Sequence, residues 1–391
     1  MDQATGRKSK LPEPNTPDIT DLVSEYHSIG LVFQGGGALG AYQAGVFQAL
    51  DEVGIDANWL SGVSIGAINA AIIAGNKPGD RLDRLRSFWE TITNRKVWHF
   101  TPEGDLFRKL RNQTSSMMTM AAGLPGFFSP HKLNPWFQLP GASTATSFYD
   151  TSELERTLDR LIDWNVLNDR DRRLSVGAVN VRTGNYRYFD SHLETLSAKH
   201  VMASGALPPA FPSIQIENEY YWDGGIVSNT PLQYLLEQDE VHDTLVFQVD
   251  LFSARGIIPR DMADVLARHK DIMYSSRTRN NTDTFQRMHN MRMKLHKALL
   301  RVPPEDLRDE DREFLATMED VPQINIVHLI YQQKVYESDA KDYEFSGTSM
   351  REHWESGYQD TRKTLKHRQW LQKPPETVGM TVHDVHRDDP N

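Results

Sequence analysis

Short apolar runs alternate with amphipathic stretches along the chain. Residues 29–33 (IGLVF) end in three glycines, and AYQAGVFQALDEV then carries Val46, Leu50 and Val53 at helical spacing, which predicts strand, tight loop, helix. A second strand is expected over 58–63 (NWLSGV), followed by a helix of small residues from about Ala67 to Ala74. This repeated order implies a parallel sheet covered on both faces. Further strands are expected at 174–181, 186–190, 214–221, 245–252 and 324–331. Between Trp98 and Asp150 the pattern dissolves into Met, Phe, Gly and Pro, which reads either as a packed connection or as an apolar lid or channel.

Charge changes the picture in one region. From Arg268 to Arg301 there are nine basic residues and two acidic ones, a window of +7 inside a chain of net charge −10. Phe285, Met288, Leu295 and Leu299 fall near one helical face, so the second half of 268–301 reads as a basic amphipathic helix. Such a helix suits an anionic membrane surface, and it equally suits packing against the main domain. PPEDLRDEDREF at 303–314 then opens another helix, with proline and carboxylates in its first turn.

Composition sets the outer limits. With 39% hydrophobic and 25% charged residues the chain is a folded globular protein of one or two domains. The net acidity argues against general nucleic-acid binding, which needs clustered cations. The chain contains no cysteine, which excludes disulfides, zinc-thiolate sites and a cysteine nucleophile and fits a reducing compartment such as the cytoplasm. The first twenty residues lack the apolar core of a secretory signal. GVSIGAINAAIIAG at 62–75 is shorter than the ~18 residues that suggest a membrane span, so any membrane contact is expected to be peripheral. The organisation read from these patterns is a flexible tail over 1–27, a main domain over 28–255, a mainly helical extension over 256–372 whose strand at 324–331 is available to the main sheet, and a second flexible tail over 373–391.

Two glycine-flanked loops carry candidate chemistry. Gly35, Gly37 and Gly40 satisfy G-x-G-x-x-G between a strand and a helix, as a dinucleotide site would. That reading also wants a carboxylate at the end of the second strand. Asp56 has roughly the right spacing but precedes the strand, and the position where the acid belongs is Ser64. Ser64 lies in Gly62-Val63-Ser64-Ile65-Gly66, a G-x-S-x-G between strand and helix and hence a nucleophile elbow; the plainer alternative is a serine that caps the helix. If both loops stand at the carboxyl edge of one parallel sheet, the N–H groups of Gly36 and Gly37 can face the oxyanion formed when Ser64 attacks an ester carbonyl. Asp250 with His328 supplies one candidate base, in the order Ser, Asp, His. Asp223, in YYWDGGIVSNTPL, supplies the other, against the plain reading of an Asp-Gly turn.

Taken in order, the loop Gly35-Gly36-Gly37-Ala38-Leu39-Gly40, the elbow Gly62 to Gly66, ASGALPPAFP at 203–212 and Asp223-Gly224-Gly225 resemble the patatin-like phospholipases. The resemblance covers roughly residues 28–252, and the last third resembles the helical extension of some bacterial members. It implies a three-layer α/β/α fold with a mostly parallel central sheet and a helical C-terminal extension. It also implies a Ser-Asp dyad of Ser64 and Asp223 without histidine, an oxyanion hole in the glycine loop, and acyl-lipid substrates such as phospholipids or lysophospholipids. Transacylation and hydrolysis of a hydroxyacid polyester use the same dyad, and a catalytically weak lipid-binding module is the alternative outside enzymes. Family members commonly carry Arg or Lys where this chain has Leu39, so the hole is expected to rely on backbone dipoles. The chemistry calls for no metal and no cofactor.

Overall fold

The computed structural model describes residues 18–93, 105–238, 242–316, 321–334, 336–337, 340–375 and 377–384, with only the backbone of 105–107, 109–111 and 276–280. The main-sheet strands are β1 (Ser28–Phe33), β2 (Trp59–Gly62), β3 (Arg173–Asn180), β4 (Tyr186–Asp190), β5 (Ile214–Ile216), β6 (Glu219–Asp223), β7 (Thr244–Asp250), β8 (Ile324–Ile330) and β9 (Met380–Asp384). Their order is β9-β8-β7-β1-β2-β3-β6-β5, with β4 also paired to β3. The run from β9 to β3 is parallel, while β4 and β6 pair antiparallel to β3 and β5 pairs antiparallel to β6. The predicted strand at 214–221 is thus a hairpin that turns at Glu217, which takes a positive φ.

Alternation along the parallel strands sorts the core into two layers, as a sheet covered on both faces requires. Leu31 and Phe33 of β1 join the large cluster built with α2 (Ala41–Asp51), α3 (Ile65–Ala74) and α4 (Arg81–Thr93), whereas Val32 joins a smaller cluster with Leu232, Leu235 and Leu236. The same division holds in β7, where Leu245, Phe247 and Val249 face the first layer and Val246 the second. The fold is therefore the three-layer α/β/α arrangement around a mostly parallel sheet.

The ends and the extension depart from expectation. Residues 18–27 were expected to be loose, yet α1 (Ile19–Ser24, preceding α2) is capped by Asp18 and buries Leu22, Val23 and Tyr26. The reason is a tertiary anchor: Asn325 of β8 donates its amide to the Tyr26 hydroxyl at 3.0 Å. Residues 380–384 add β9 to the sheet beside β8, a short strand whose polar alternation gives little periodic signal. Residues 1–17 and 385–391 lie outside the described residues, as does Trp98. Within the Trp98–Asp150 region an 18-residue helix, α5 (Asp105–Ala122), replaces much of the expected irregularity.

Among the described residues the extension holds three α-helices, α6 (Met262–Leu299), a short one over Asp309–Ala316, and α7 (Gly347–Thr364), and β8 and β9 continue the main sheet. The basic helix α6 packs on the main domain, but through another face than the sequence suggested. Met288 and Leu295 are exposed, while His289, Met293 and His296 are buried and Phe285 packs on the second cluster. His289 sits there because its Nε2 pairs with the Pro322 carbonyl at 2.9 Å, so two histidines stand where the hydrophobic pattern looks for aliphatic residues. Arg277 and Arg279 of the basic window have no described side chains. The helix foreseen from the prolines at 303 begins only at Asp309, with Asp309, Glu310 and Asp311 in its first turn.

Helix α7 lies against α2 in unusually close contact. A Cβ on Gly45 would collide with the Trp354 carbonyl, and one on Gly357 with the Tyr42 carbonyl. Since rigid backbone stands on both sides, alanine at either position must push the helices apart. We expect Gly357→Ala to lower unfolding free energy by about 1–3 kcal/mol in urea titration. Gly79→Ala, at a glycine with nothing around it, should change stability by less than about 0.5 kcal/mol.

Candidate active site

Strand β3 is the ruler of the site. Gly62 at the end of β2 is in register with Val176, and Asp223 at the end of β6 with Ala178, two residues further along the same strand. Two residues of strand are about 7 Å, so the chain that leaves β2 meets Asp223 within side-chain reach. Ser64 stands there with φ 57° and ψ −127°, a conformation that L residues rarely adopt. The flanking glycines permit it: a Cβ on Gly62 would run into the Gly66 carbonyl, and one on Gly66 would lie 2.5 Å from the Phe33 carbonyl oxygen.

The Ser64 N–H is spent on Ser204, to its carbonyl and to its hydroxyl at 3.1 Å each, and the Ser64 carbonyl accepts from Ala67 and Ile68. Ser204 is itself fixed by donating to the Gly177 carbonyl at 2.7 Å. The backbone therefore serves as the cap of α3 while the side chain makes no capping bond, which disposes of the plain capping alternative. The side chain is turned instead toward Asp223, whose charged form it favours.

Asp223 is buried, and burial pushes its carboxyl up to about 7; the Ser64 side chain and the bond from the Gly225 N–H, 2.7 Å away, oppose that rise. Val63 and Ile65 point into the core beside it, and Gly224 fits under the buried hydroxyl of Tyr186. Asp250 and His328 are placed elsewhere. They bind each other at 2.6 Å, and neither lines the cavity at Ser64. Asp56 stands at the amino end of β2, where Arg81 holds it at 2.7 Å and Arg172 closes on its other oxygen. The acid that a dinucleotide would need at the far end of that strand is replaced by the elbow.

The glycine loop follows β1, the neighbour of β2, so both loops open at one edge of the sheet. Gly37–Gly40 form a turn of 3₁₀ helix that runs into α2, and its first N–H groups have no partner within the turn. Ala38 and Leu39 are buried in the large core cluster, and Leu39 is absent from the cavity wall. The residue that occupies the family's usual basic position thus serves packing. Beneath the loop, Gln34 accepts from the Leu251 and Phe252 N–H groups at 2.6 and 3.2 Å, and Gln43 donates to the Gln34 carbonyl at 2.6 Å. Asn69 donates to the Gly40 carbonyl at 2.9 Å, and Trp89 donates to Asn69 at 3.1 Å. Asn229 ties the loop to the Asp223 turn: its side chain donates to the Gly35 carbonyl at 2.9 Å, and its carbonyl accepts from the Gly35 N–H at 3.2 Å. Sequence reasoning missed these buried amides. Asn229 alone had a local signal, as the polar residue closing the turn-rich GGIVSNTP.

Ser64, Asp223 and the glycines share the wall of a cavity of about 260 Å³. Its remaining wall is rich in aromatic rings, with Phe127, Phe128 and Phe211 from the main domain meeting Tyr274, Tyr343 and Phe345 from the extension; Phe127 and Phe345 lie 6.4 Å apart. The stretch that read as packed connection or channel is thus cavity wall at Phe127 and Phe128. The contribution of 342–345 had no sequence signal. Two ion pairs hold it: Lys270 to Asp342 at 2.8 Å, and Lys341 to Asp271 at 2.6 Å, both Lys341 and Asp271 being buried. The Asp342 carbonyl packs directly on Gly37.

A sequence model of patatin-like phospholipases matches residues 31–236, and one described as patatin phospholipase matches 272–377. Among curated relatives, the lysophospholipase NTE1 of Yarrowia lipolytica is 23% identical over 240 residues, 61% of this chain and 14% of that protein. The NTE1 lysophospholipase of Cryptococcus neoformans is 28% identical over 236 residues, 60% of this chain and 12% of its own. The neuropathy target esterase sws of Drosophila melanogaster is 42% identical over 65 residues, 16% of this chain and 5% of its own. The chain thus spans only a small part of the length of these relatives. The solved structure of VipD from Legionella pneumophila is 16% identical, with a TM-score of 0.40, covering 87% of this chain and 67% of that one. With the family match extending over more than half of its residues, the chain belongs to the patatin-like phospholipase family.

Proposed function

We propose that this protein is a serine acyl hydrolase that cleaves carboxylic esters of lipids through Ser64 and Asp223. The observation that carries the reading is a strained, half-buried serine and a buried carboxylate that share the wall of one apolar cavity and interact through their side chains. In the reaction, Asp223 takes the Ser64 proton as Oγ bonds to the ester carbonyl carbon. The carbonyl oxygen becomes an anion facing the N–H groups that open the glycine turn, at Gly36, Gly37 and Ala38. Collapse expels the alcohol, which takes the proton from Asp223 and leaves an acyl group on Ser64. Water then attacks the acyl carbon, gives its proton to Asp223, and the proton returns to Ser64 as the fatty acid leaves.

The apolar wall favours the acyl chain over the head group, and one cavity beside Ser64 suits a single chain. Lysophospholipids fit that shape, and the relatives named as lysophospholipases support the same substrate class. A raised Asp223 is suited to the work, because a base that titrates near neutrality both accepts and returns a proton.

Labelling with a fluorophosphonate tests this directly. Wild type should be labelled, folded Ser64→Ala should not, and Asp223→Asn should label about 10²–10⁴-fold more slowly. A wild type that folds and does not label would overturn the proposal. The active form is the ionised carboxylate, so the labelling rate should fall with one protonation as pH drops through about 7. Thermal unfolding provides an independent check. The folded state holds the Asp223 proton more tightly than the unfolded chain, so ionisation costs stability at pH 8, and the cost shrinks as pH falls toward the ordinary carboxylate range. Asp223→Asn should therefore melt above wild type at pH 8, with the difference diminishing by pH 5.

A further inference from the structure

A second apolar feature lies outside the cavity and faces solvent. Residues 131–148 form a loop whose base is the pairing of Ser129 with Asp150 and of Pro130 with Tyr149. The loop leaves the cavity wall at Phe128 and rejoins it at Phe148 and Tyr149. At its tip Trp136 is 82% and Phe137 88% exposed, and Leu133 and Leu139 are exposed beside them. This is no collapsed coil. Asn134 caps the Trp136 N–H at 3.1 Å, and Gln138 donates to the Leu133 and Thr144 carbonyls at 3.1 and 3.2 Å. The polar groups of the loop are turned inward on one another, so its large apolar side chains are left pointing out.

The charge around this tip is as distinctive as its hydrophobicity. The chain carries 53 acidic residues in 391, yet the 44 residues from Leu106 to Tyr149 contain none and include Arg108, Lys109, Arg111 and Lys132. The same run places Met117 and Met118 of α5 on the surface. An apolar tip with an indole, on a loop that contains Lys132 and no carboxylate, matches the interfacial zone of a phospholipid bilayer, where aromatic rings settle among head groups whose phosphates repel acids. Ile257 and Ile258 are also exposed, a few residues beyond Phe252 of the cavity wall.

We propose that the 131–148 loop is the membrane-docking element, inserting Trp136 and Phe137 into a phospholipid interface so that lipid passes from the bilayer into the adjoining cavity. The assignment rests on the lipid-ester reading above, and it places membrane contact on this loop, which adjoins the cavity, rather than on the basic helix α6.

The test is cosedimentation of the full chain with vesicles of phosphatidylcholine containing a minor fraction of phosphatidylglycerol. Trp136→Ser/Phe137→Ser should bind about a hundredfold more weakly than wild type, since two large apolar side chains no longer leave water. Trp136→Phe should retain most binding. Hydrolysis of a soluble short-chain ester and fluorophosphonate labelling should be unchanged in all three, because neither side chain touches the cavity. Equal vesicle binding by the double variant, or none by wild type, overturns the docking assignment. So does sedimentation velocity without lipid showing a wild-type oligomer that the double variant dissolves, which would give the patch to a second copy of the chain. Failure of labelling at Ser64 sinks the hydrolase reading instead, and the two failures are told apart by these separate readouts.

Discussion

Everything at this site depends on holding one serine where a serine does not wish to be. A positive φ at a residue with a Cβ costs of order 1–3 kcal/mol, and it persists only when the surroundings leave no other option. Here they do so through backbone. The carbonyls of Phe33 and Gly66 occupy the space that side chains at 66 and 62 would need, and Ser204 engages the Ser64 N–H twice. Released from capping, the hydroxyl is free to meet Asp223.

The oxyanion side is held by a different device. No cation stands in the glycine loop; the buried amides of Gln43, Asn69 and Asn229 fix the carbonyls of Gln34, Gly40 and Gly35, and the Gln34 amide ties the loop to Leu251 and Phe252. With the carbonyls fixed, the dipoles of the N–H groups are fixed too, and such preorganised donors need no rearrangement when charge develops. Leu39 then belongs to the anchor as a core residue and takes no part in the electrostatics.

Sequence pattern reached the parallel sheet and the two glycine-flanked loops because each rests on local chemistry, apolar strands and obligatory glycines; the pairing of Ser64 with Asp223 came from the resemblance to the patatin-like phospholipases. It lost what depends on distant partners. Tyr26 gives no sign in its own neighbourhood that Asn325 will bind it. The two faces of α6 were misread because His289 and His296 point inward where Met288 and Leu295 were expected to. The four buried amides looked like ordinary polar residues, and nothing near 342–345 announces an aromatic cavity wall. Such features are written in pairs of residues separated by hundreds of positions, beyond the range of any periodicity.

The extension deserves a different name in light of its contacts. Lys341 and Asp271 are buried together with Lys341 near the ring of Phe252, and Lys270 lies near the ring of Tyr343, so two cations brace two walls of the cavity. Taking such charges out of water is expensive, and separating one partner from the other would strand a buried ion. These braces set the segment whose Asp342 carbonyl rests on Gly37 and whose Phe345 packs on Phe127, so the two stretches recognised by separate family models meet at the cavity. Neither can be exchanged for its counterpart in a relative unless the lysines, their carboxylates and the glycine turn on which Asp342 rests travel together, which makes the pair a single unit of inheritance and of engineering.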